Sequence, residues 1–255
     1  MSARIVIVSG AGRYADPWHP LAETSERVAE ILRAEGHTVT VTDAVDGTLA
    51  SLADGSADID LLVLNVGAGR SDEERAVVQS SDDREPLPLT GTDAATRSGL
   101  LAYVGRGGPL LALHVSSTSF GFMPEWESVL GGIWVRGTSM HPPYSRAHIE
   151  VATDAHPITA GIHDFDLDDE RYSHLRVSPE ARQLAWHELD GERHPVLWTH
   201  SSGDARVVYD ALGHTTASYD SPEHRALLTQ AAAWLLEAPA PAAFPAPATT
   251  SFPEN

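Results

Sequence analysis

The stretch that decides the fold is Pro109-Leu110-Leu111-Ala112-Leu113-His114-Val115-Ser116-Ser117-Thr118. Gly107 and Gly108 precede it, and residues 109–113 are apolar without interruption. An apolar run of strand length next to glycines is typical of a strand buried on both faces of a parallel sheet. The run ends at His114, and ligands bind at the carboxyl ends of strands in open α/β sheets. His114 is therefore either part of a functional site or a strand cap, and this stretch favours both interpretations equally.

Strand-like and helical patterns alternate on the N-terminal side of this stretch. The strand-like runs lie at residues 5–10, 37–43 and 59–65, and the helical patterns at 21–34, 92–104 and, more weakly, 47–57. Together with the strand at 109–113, they give a β-α-β-α-β-α-β order with short connections. This order predicts an α/β fold with a doubly wound parallel sheet.

The second half is less regular. It carries strand-like runs at 147–152, 195–199 and 205–212, a short helix at 126–130 and a final helix at 221–236. Residues 71–89 are polar and acidic, which predicts a lid or a disordered insert within one domain that spans residues 1–237. The Pro/Ala-rich residues 238–255 are predicted to form an extended or disordered C-terminal tail with no catalytic part.

Composition and charge narrow the classes of function. The 255 residues include no Cys, which excludes thiolate nucleophiles and Cys-bound metals. The net charge of −19 argues against nucleic acid and anionic membranes as partners, because their phosphates would be repelled. No apolar run has transmembrane or signal-peptide length, so we expect a cytoplasmic protein. Gly10-x-Gly12 lacks the third glycine of a dinucleotide-binding fingerprint, and Pro17 and Pro20 follow closely, so we predict no Rossmann-type cofactor site.

Histidine is unusually frequent, with 13 residues, and several fall at predicted strand ends or turns. His114, His200 and His214 follow strand-like runs, His141 lies in a Pro-rich turn, and Glu170 lies in an acidic segment. Imidazole and carboxylate groups could hold a divalent metal or act as general acid and base. No established metal-binding spacing is present, so a metal-free polar site is favoured over a metal site. The histidines interpreted as ordinary surface or strand residues are His37, His148, His163, His187 and His224.

The sequence offers two further candidates, a serine nucleophile and a set of aromatic ligand contacts. Ser116, Ser117 and Ser119 follow the strand, but the Gly-x-Ser-x-Gly elbow of serine hydrolases is absent. Trp18 and Tyr172 lie in polar loops, where an aromatic ring could stack on the apolar face of a sugar. We therefore predict no serine hydrolase and retain these two rings as substrate contacts.

An ordered series of motifs resembles the ThuA-like, or trehalose-utilisation, family. The matching pieces are Tyr103-Val104-x-x-Gly107-Gly108-x-Leu110-x-Ala112-Leu113-His114; Leu130-Gly131-Gly132 followed by His141; His156-Pro157-Ile158-Thr159-x-Gly161-Ile162; Asp169-Glu170-x-Tyr172; Pro195-Val196-Leu197-Trp198; and Arg206-Val207-Val208-Tyr209-x-x-Leu212-Gly213-His214. The resemblance spans most of residues 90–236. The acidic segment 71–89 and Ser116-Ser117 depart from the family pattern.

The resemblance implies a flavodoxin-like sheet of the class I glutamine amidotransferase-like superfamily. His114 stands where amidotransferases carry their cysteine nucleophile, so the glutaminase reaction is not available. The family is associated with carbohydrate use, including trehalose and keto-sugar derivatives. His114, His141, Glu170, Tyr172 and His214 match positions that the family usually keeps.

Our first hypothesis is an enzyme acting on a sugar or keto-sugar derivative. His114 and Glu170 would form the acid/base pair, joined by His214 as a catalytic residue, with Trp18, His141 and Tyr172 binding substrate. A divalent metal, if one is present, would be held by residues from the set His114, His141, Glu170 and His214. The alternatives are a non-catalytic sugar-binding or interaction protein and a metallohydrolase. A small-molecule sugar is the expected partner, and self-association is compatible with the sheet.

Overall fold

The computed structural model describes residues 2–68, 89–154 and 156–237. The predicted acidic insert at 71–89, apart from Leu89, and the predicted tail at 238–255 lie outside these residues. Both therefore stay predictions. Within the described residues, no helix is long and apolar enough to cross a membrane.

The described residues form eleven strands and five α-helices. The strands are β1 (Arg4–Ser9), β2 (Thr38–Thr42), β3 (Leu61–Asn65), β4 (Leu110–Leu113), β5 (Gly132–Ile133), β6 (Ser145–Val151), β7 (Phe165–Asp169), β8 (Arg176–Val177), β9 (Arg182–Leu189), β10 (Glu192–Ser202) and β11 (Ala205–Asp210). The helices are α1 (Leu21–Ala34), α2 (Val45–Ser51), α3 (Gly91–Gly105), α4 (Trp126–Leu130) and α5 (Pro222–Leu236).

Nine strands form one sheet in the order β2-β1-β3-β4-β11-β10-β9-β6-β7. The first five strands in this order are parallel, whereas the last four continue the sheet as antiparallel neighbours. Helix α1 packs against α5, and α2 packs against α3. These layers confirm the predicted α/β fold, with a doubly wound sheet covered by helices.

The centre of the parallel half explains why its strands are apolar runs. Every residue of β3 and β4 is buried, because helices cover the sheet. Helix α3 begins with a capping box, in which the Thr90 hydroxyl accepts the Asp93 N–H at 3.0 Å and the Asp93 carboxylate accepts the Thr90 N–H at 3.0 Å. Thr90 is therefore the cap of α3, which begins one residue before the predicted pattern at 92–104.

The antiparallel half contains strands that the sequence patterns did not predict. Residues 165–169 form β7 and residues 182–189 form β9, while β10 is longer than the predicted run at 195–199. Strand β7 lies four positions from β11 in the sheet, yet the Asp169 side chain at its end accepts the N–H of Gly213 at 2.8 Å. Neighbouring strands are about 4.8 Å apart, so this contact requires the β6–β7 hairpin, which pairs with β9 only through Glu150 and Val151, to bend back towards β11. This bend brings the end of β7 over the carboxyl ends of β4 and β11.

Candidate active site

Four polar side chains converge above the carboxyl ends of β4 and β11. His114 follows β4 directly, His214 follows β11, Glu170 follows β7, and His19 lies in the loop before α1. One nitrogen or oxygen from each lies within 4.8 Å of the corresponding atom of the other three. We call these four residues the His/Glu cluster.

His114 is held in one orientation by the strand end and the loop after β11. Its φ of 40° places it in the left-handed region, at the start of a 3-10 helix (His114–Thr118). Its Nδ1 lies 2.6 Å from the carbonyl oxygen of Ala211, and a carbonyl only accepts. Nδ1 therefore donates, which leaves the lone pair of a neutral imidazole on Nε2, facing the cluster. Burial outweighs the effect of the neighbouring Glu170 and lowers the pKa of His114.

Glu170 is the centre of the cluster. Its Oε2 lies 3.2 Å from Nδ1 of His214, 3.5 Å from Nε2 of His114 and 3.6 Å from Nε2 of His19. None of these approaches meets hydrogen-bond geometry for Oε2, which is shielded from solvent. Burial opposes the carboxylate charge, but the three imidazoles outweigh it and hold the pKa of Glu170 well below its usual range.

His19 enters the cluster from the N-terminal loop. Its Nε2 lies 3.1 Å from Nε2 of His114, and its Nδ1 lies 3.1 Å from a carboxylate oxygen of Asp16. Burial opposes a charged ring, but Asp16 and Glu170 outweigh it and raise the pKa of His19 to about 9. A carboxylate behind the distal nitrogen is the usual partner of a metal-binding imidazole, because it fixes the ring and its tautomer.

Tyr172 forms one wall of the cluster. Its ring stacks on His114 with centroids 4.4 Å apart, and its hydroxyl lies 3.4 Å from Nε2 of His19. It is 2 % exposed, and burial raises the pKa of its hydroxyl well above the usual value. Tyr172 therefore stays protonated, and its hydroxyl can donate a hydrogen bond into the cluster.

Asp169 joins the two segments that carry Glu170 and His214. It is fully buried and accepts the N–H groups of Gly213 at 2.8 Å, His214 at 3.1 Å and Glu170 at 2.8 Å. One carboxylate thereby fixes both backbones, so that Glu170 and His214 keep their separation.

The donor atoms of the His/Glu cluster fit a divalent metal such as zinc. Ligands about 2.0–2.1 Å from a tetrahedral metal are about 3.3–3.4 Å from one another. The observed separations of 3.1, 3.2, 3.5 and 3.6 Å are close to this value. Three imidazoles and one carboxylate are also a donor set that zinc accepts. The cluster can therefore bind a metal with little rearrangement.

The structure brings together all three residues predicted as catalytic, His114, Glu170 and His214, and places Tyr172 against them. His141 lies at the edge, with Nδ1 3.6 Å from the other Glu170 oxygen, Oε1, and its side chain is 37 % exposed. Trp18 is 74 % exposed and has no part in the cluster contacts. The metal set suggested by the sequence differs in one member, because the structure places His19 where we expected His141.

His19 was missed because it follows no strand end directly. The available signal was Asp16-x-x-His19, a carboxylate three residues before a histidine in the loop after β1. Two other histidine predictions need correction. His200 does not end a strand, since β10 continues to Ser202, and its Nε2 contacts the Ser128 carbonyl oxygen instead. His224 is no surface residue, because it is fully buried and paired with Asp210.

The hydroxyl groups of the serines after β4 form hydrogen bonds within the fold. The Ser116 hydroxyl donates to the Leu64 carbonyl at 2.9 Å, and the Ser119 hydroxyl to the Val66 carbonyl at 2.6 Å. The Ser117 hydroxyl accepts from Tyr209 at 2.9 Å. These bonds tie the His114 turn to β3 and β11, which is a structural use of the hydroxyl groups.

The fold and the position of His114 define a class of protein. His114 lies on a left-handed turn directly after the central strand β4, at the position where the family resemblance implies the amidotransferase cysteine. A glutamine amidotransferase from Thermotoga maritima shares the fold, with a TM-score of 0.54 at 10% identity over 93% of this chain and 100% of that one. The chain thus has the class I glutamine amidotransferase-like fold without the cysteine.

The chain belongs to the ThuA family. The family model described as trehalose utilisation matches residues 4–235. A ThuA-like protein from Parabacteroides merdae has a TM-score of 0.69 at 17% identity, over 92% of this chain and 90% of that one. A second, from Bacteroides uniformis, has a TM-score of 0.67 at 15% identity, over 91% of each chain. No curated protein matches the sequence.

Proposed function

We propose that the chain is an enzyme that acts on a sugar or keto-sugar derivative at a divalent metal held by the His/Glu cluster. The observation that carries this proposal is the convergence of three imidazole nitrogens and one carboxylate oxygen at separations near those of a metal's ligands. Tyr172 covers one side of the donor set, and His141, whose side chain is 37 % exposed, lies next to Glu170.

The reaction we favour is removal of a proton next to a sugar carbonyl, followed by elimination or isomerisation. A bound divalent metal would polarise that carbonyl and so acidify the neighbouring C–H. His141 is exposed and lies beside Glu170, so it is placed to accept the proton and return it to the product. Tyr172 keeps its proton and can donate a hydrogen bond to a substrate oxygen.

Exposed apolar side chains beside the cluster support a sugar as the substrate class. In the sequence, Trp18 directly precedes His19, and Met140 directly precedes His141. The Tyr144 ring lies 5.5 Å from the ring of His214. These three are among the large hydrophobic residues that the described chain exposes. Aromatic rings next to a polar site suit a molecule with an apolar face and several hydroxyl groups.

Metal analysis of protein purified without a His tag is the test of this proposal. We expect about one equivalent of zinc, manganese or a similar ion in the wild type, and its loss in His19→Ala and Glu170→Gln. A second group, formed by His174, Glu192 and His194, could also collect metal. His174→Asn is therefore the matched control, because asparagine tolerates the φ of 56° at this position. Metal loss in His174→Asn but not in His19→Ala would contradict the proposed centre.

The reaction is tested by incubating keto-disaccharides with the metal-loaded protein in D2O. We expect deuterium to enter the carbon next to the carbonyl, as seen by NMR, and we expect His141→Gln to slow this exchange. A metal-free wild type would leave His114 and Glu170 as a bare acid/base pair. Absence of exchange and turnover with every keto-sugar would favour a sugar-binding protein.

Trp18→Ala tests the substrate contact directly. Trp18 is 74 % exposed, so its removal should leave the unfolding midpoint unchanged while KM for the sugar rises. Leu89→Ala is the matched control, because Leu89 is also exposed, at 47 %, but is adjacent in sequence to no residue of the cluster, whereas Trp18 precedes His19. Equal KM values for Trp18→Ala and wild type would remove Trp18 from the substrate contacts.

A further inference from the structure

A buried charged pair lies behind the loop that follows β11. His224, in the first turn of α5, is fully buried. Its Nδ1 lies 2.9 Å from the Ser218 carbonyl oxygen, and its Nε2 lies 2.9 Å from Oδ2 of Asp210. Carbonyl and carboxylate oxygens only accept, so both ring nitrogens carry hydrogen and His224 is an imidazolium. A buried cation needs such a carboxylate partner to offset its desolvation.

Asp210 connects this cation to the loop. It is the last residue of β11, and its other oxygen, Oδ1, accepts the Leu212 N–H at 3.0 Å. The carboxylate therefore holds both the His224 ring and the backbone that leads to His214. Tyr219 adds a second support, since its ring stacks on His224 with centroids 4.8 Å apart and its hydroxyl lies against Gly213.

The loop in turn contacts the His/Glu cluster at two points. The Ala211 carbonyl accepts the Nδ1–H of His114 at 2.6 Å and so sets the tautomer of that ring. His214 faces Glu170 at 3.2 Å. A displacement of residues 211–214 would therefore disturb two members of the cluster together, although neither His224 nor Asp210 belongs to it.

We propose that His224 and Asp210 are positioning residues, whose buried ion pair fixes the loop 211–214 and through it the tautomer of His114 and the place of His214. The part of this inference that concerns metal affinity rests on the proposed function. The part that concerns the His114 tautomer does not, because it follows from the contact with the Ala211 carbonyl.

Two variants and one control test the pair. Asp210→Asn keeps the shape of the side chain and removes its charge, whereas His224→Gln removes the cation. His156→Gln is the control, because His156 is also buried and caps a short helix next to α5, with its ring 5.4 Å from Trp234. Within the described residues, its hydrogen bonds and ring contacts are with Ile158, Thr159 and Trp234, outside the loop 211–214. If His224→Gln does not fold, Asp210→Asn carries the test alone.

Two measurements are made on each folded variant. The first is the 15N spectrum of labelled histidine, assigned by comparison with His114→Gln, which reports whether His114 carries its proton on Nδ1. The second is the Kd for zinc from chelator competition. We expect the Nδ1–H population of His114 to fall in both variants, and zinc affinity to fall about 10- to 100-fold, as is typical when support behind a metal ligand is lost. His156→Gln should change neither readout.

Wild-type His114 spectra and zinc affinity in a folded Asp210→Asn variant would overturn the proposal. So would an equal loss of zinc affinity in His156→Gln, since this would show a general effect of stability. If the wild type binds no zinc, the proposed metal centre fails, and the His114 tautomer alone then decides the positioning proposal.

Discussion

Replacement of Gly213 by alanine should damage both stability and the His/Glu cluster, and the structure sets the size of the effect. Gly213 has a φ of 111°, a conformation that L residues rarely adopt. An added Cβ would overlap the Tyr219 hydroxyl and lie 3.0 Å from Tyr219 Cζ. The Tyr219 ring is 1 % exposed and stacked on His224, so it cannot move aside without disturbing its neighbours.

Two costs add at this position. Backbone strain in such a region costs about 1–3 kcal/mol, and overpacking in a tight interior costs about 1–3 kcal/mol. We therefore expect Gly213→Ala to lower the free energy of unfolding by about 2–6 kcal/mol. Gly203→Ala is the matched control, because Gly203 also has a positive φ, 61°, but a Cβ there would meet nothing within 4 Å. The control should cost only about 1–2 kcal/mol.

Urea denaturation followed by tryptophan fluorescence measures both variants, and zinc competition shows whether the cluster is also affected. Gly213→Ala should weaken zinc binding, because residue 213 precedes His214, whereas Gly203→Ala should not. Equal losses of stability in the two variants would refute the argument that packing against Tyr219 matters. Unchanged zinc affinity in folded Gly213→Ala would separate the loop conformation from the cluster.

Two further predictions concern the N-terminal half. Thr90→Ala removes the cap of α3 and should cost about 1 kcal/mol in urea denaturation, whereas an unchanged midpoint would show that Asp93 alone caps the helix. Burial opposes the charges of Asp46 and Asp93, but hydrogen bonds from Arg13 outweigh it and lower the pKa of both carboxyls. The stability that this pairing gives is present above about pH 4 and is lost as the pH falls through the lowered pKa values. The gap in unfolding free energy between wild type and Arg13→Met should therefore shrink below about pH 4, and a constant gap between pH 3 and 7 would contradict this assignment.

The sequence predicted the parallel half well because its signals are local. Helix α1 coincides with the predicted helix at 21–34, and β3 and β4 appear as apolar runs because both of their faces are buried. Strand β9 escaped prediction because its burial does not alternate regularly, and a period of two is what identifies a half-exposed strand. The bend of the β6–β7 hairpin depends on long-range pairing, which no local pattern reports.

The candidate site shows the same contrast between local sequence signals and long-range contacts. Residues that follow strand-like runs, such as His114 and His214, could be found from their position alone. His19 could not, because it enters the cluster through a loop whose path depends on tertiary contacts. The burial and pairing of His224 were hidden for a related reason, since its partner Asp210 lies on a different element and burial is not visible in the sequence.

Strand β11 is parallel to β4 but antiparallel to β10, and this arrangement has a consequence for the order of folding. Strands β9, β10 and β11 form two consecutive hairpins. These hairpins can form early in folding because each one pairs neighbouring segments of the chain. The pairing of β4 with β11 joins residues that are roughly a hundred positions apart, and such long-range pairing is slow because a large loop must close first. His19 and His114 belong to the β4 side of this pairing, whereas Glu170 and His214 follow strands on the β11 side. Ligand binding at the cluster should therefore appear only at the last step of refolding, after most of the secondary structure has formed.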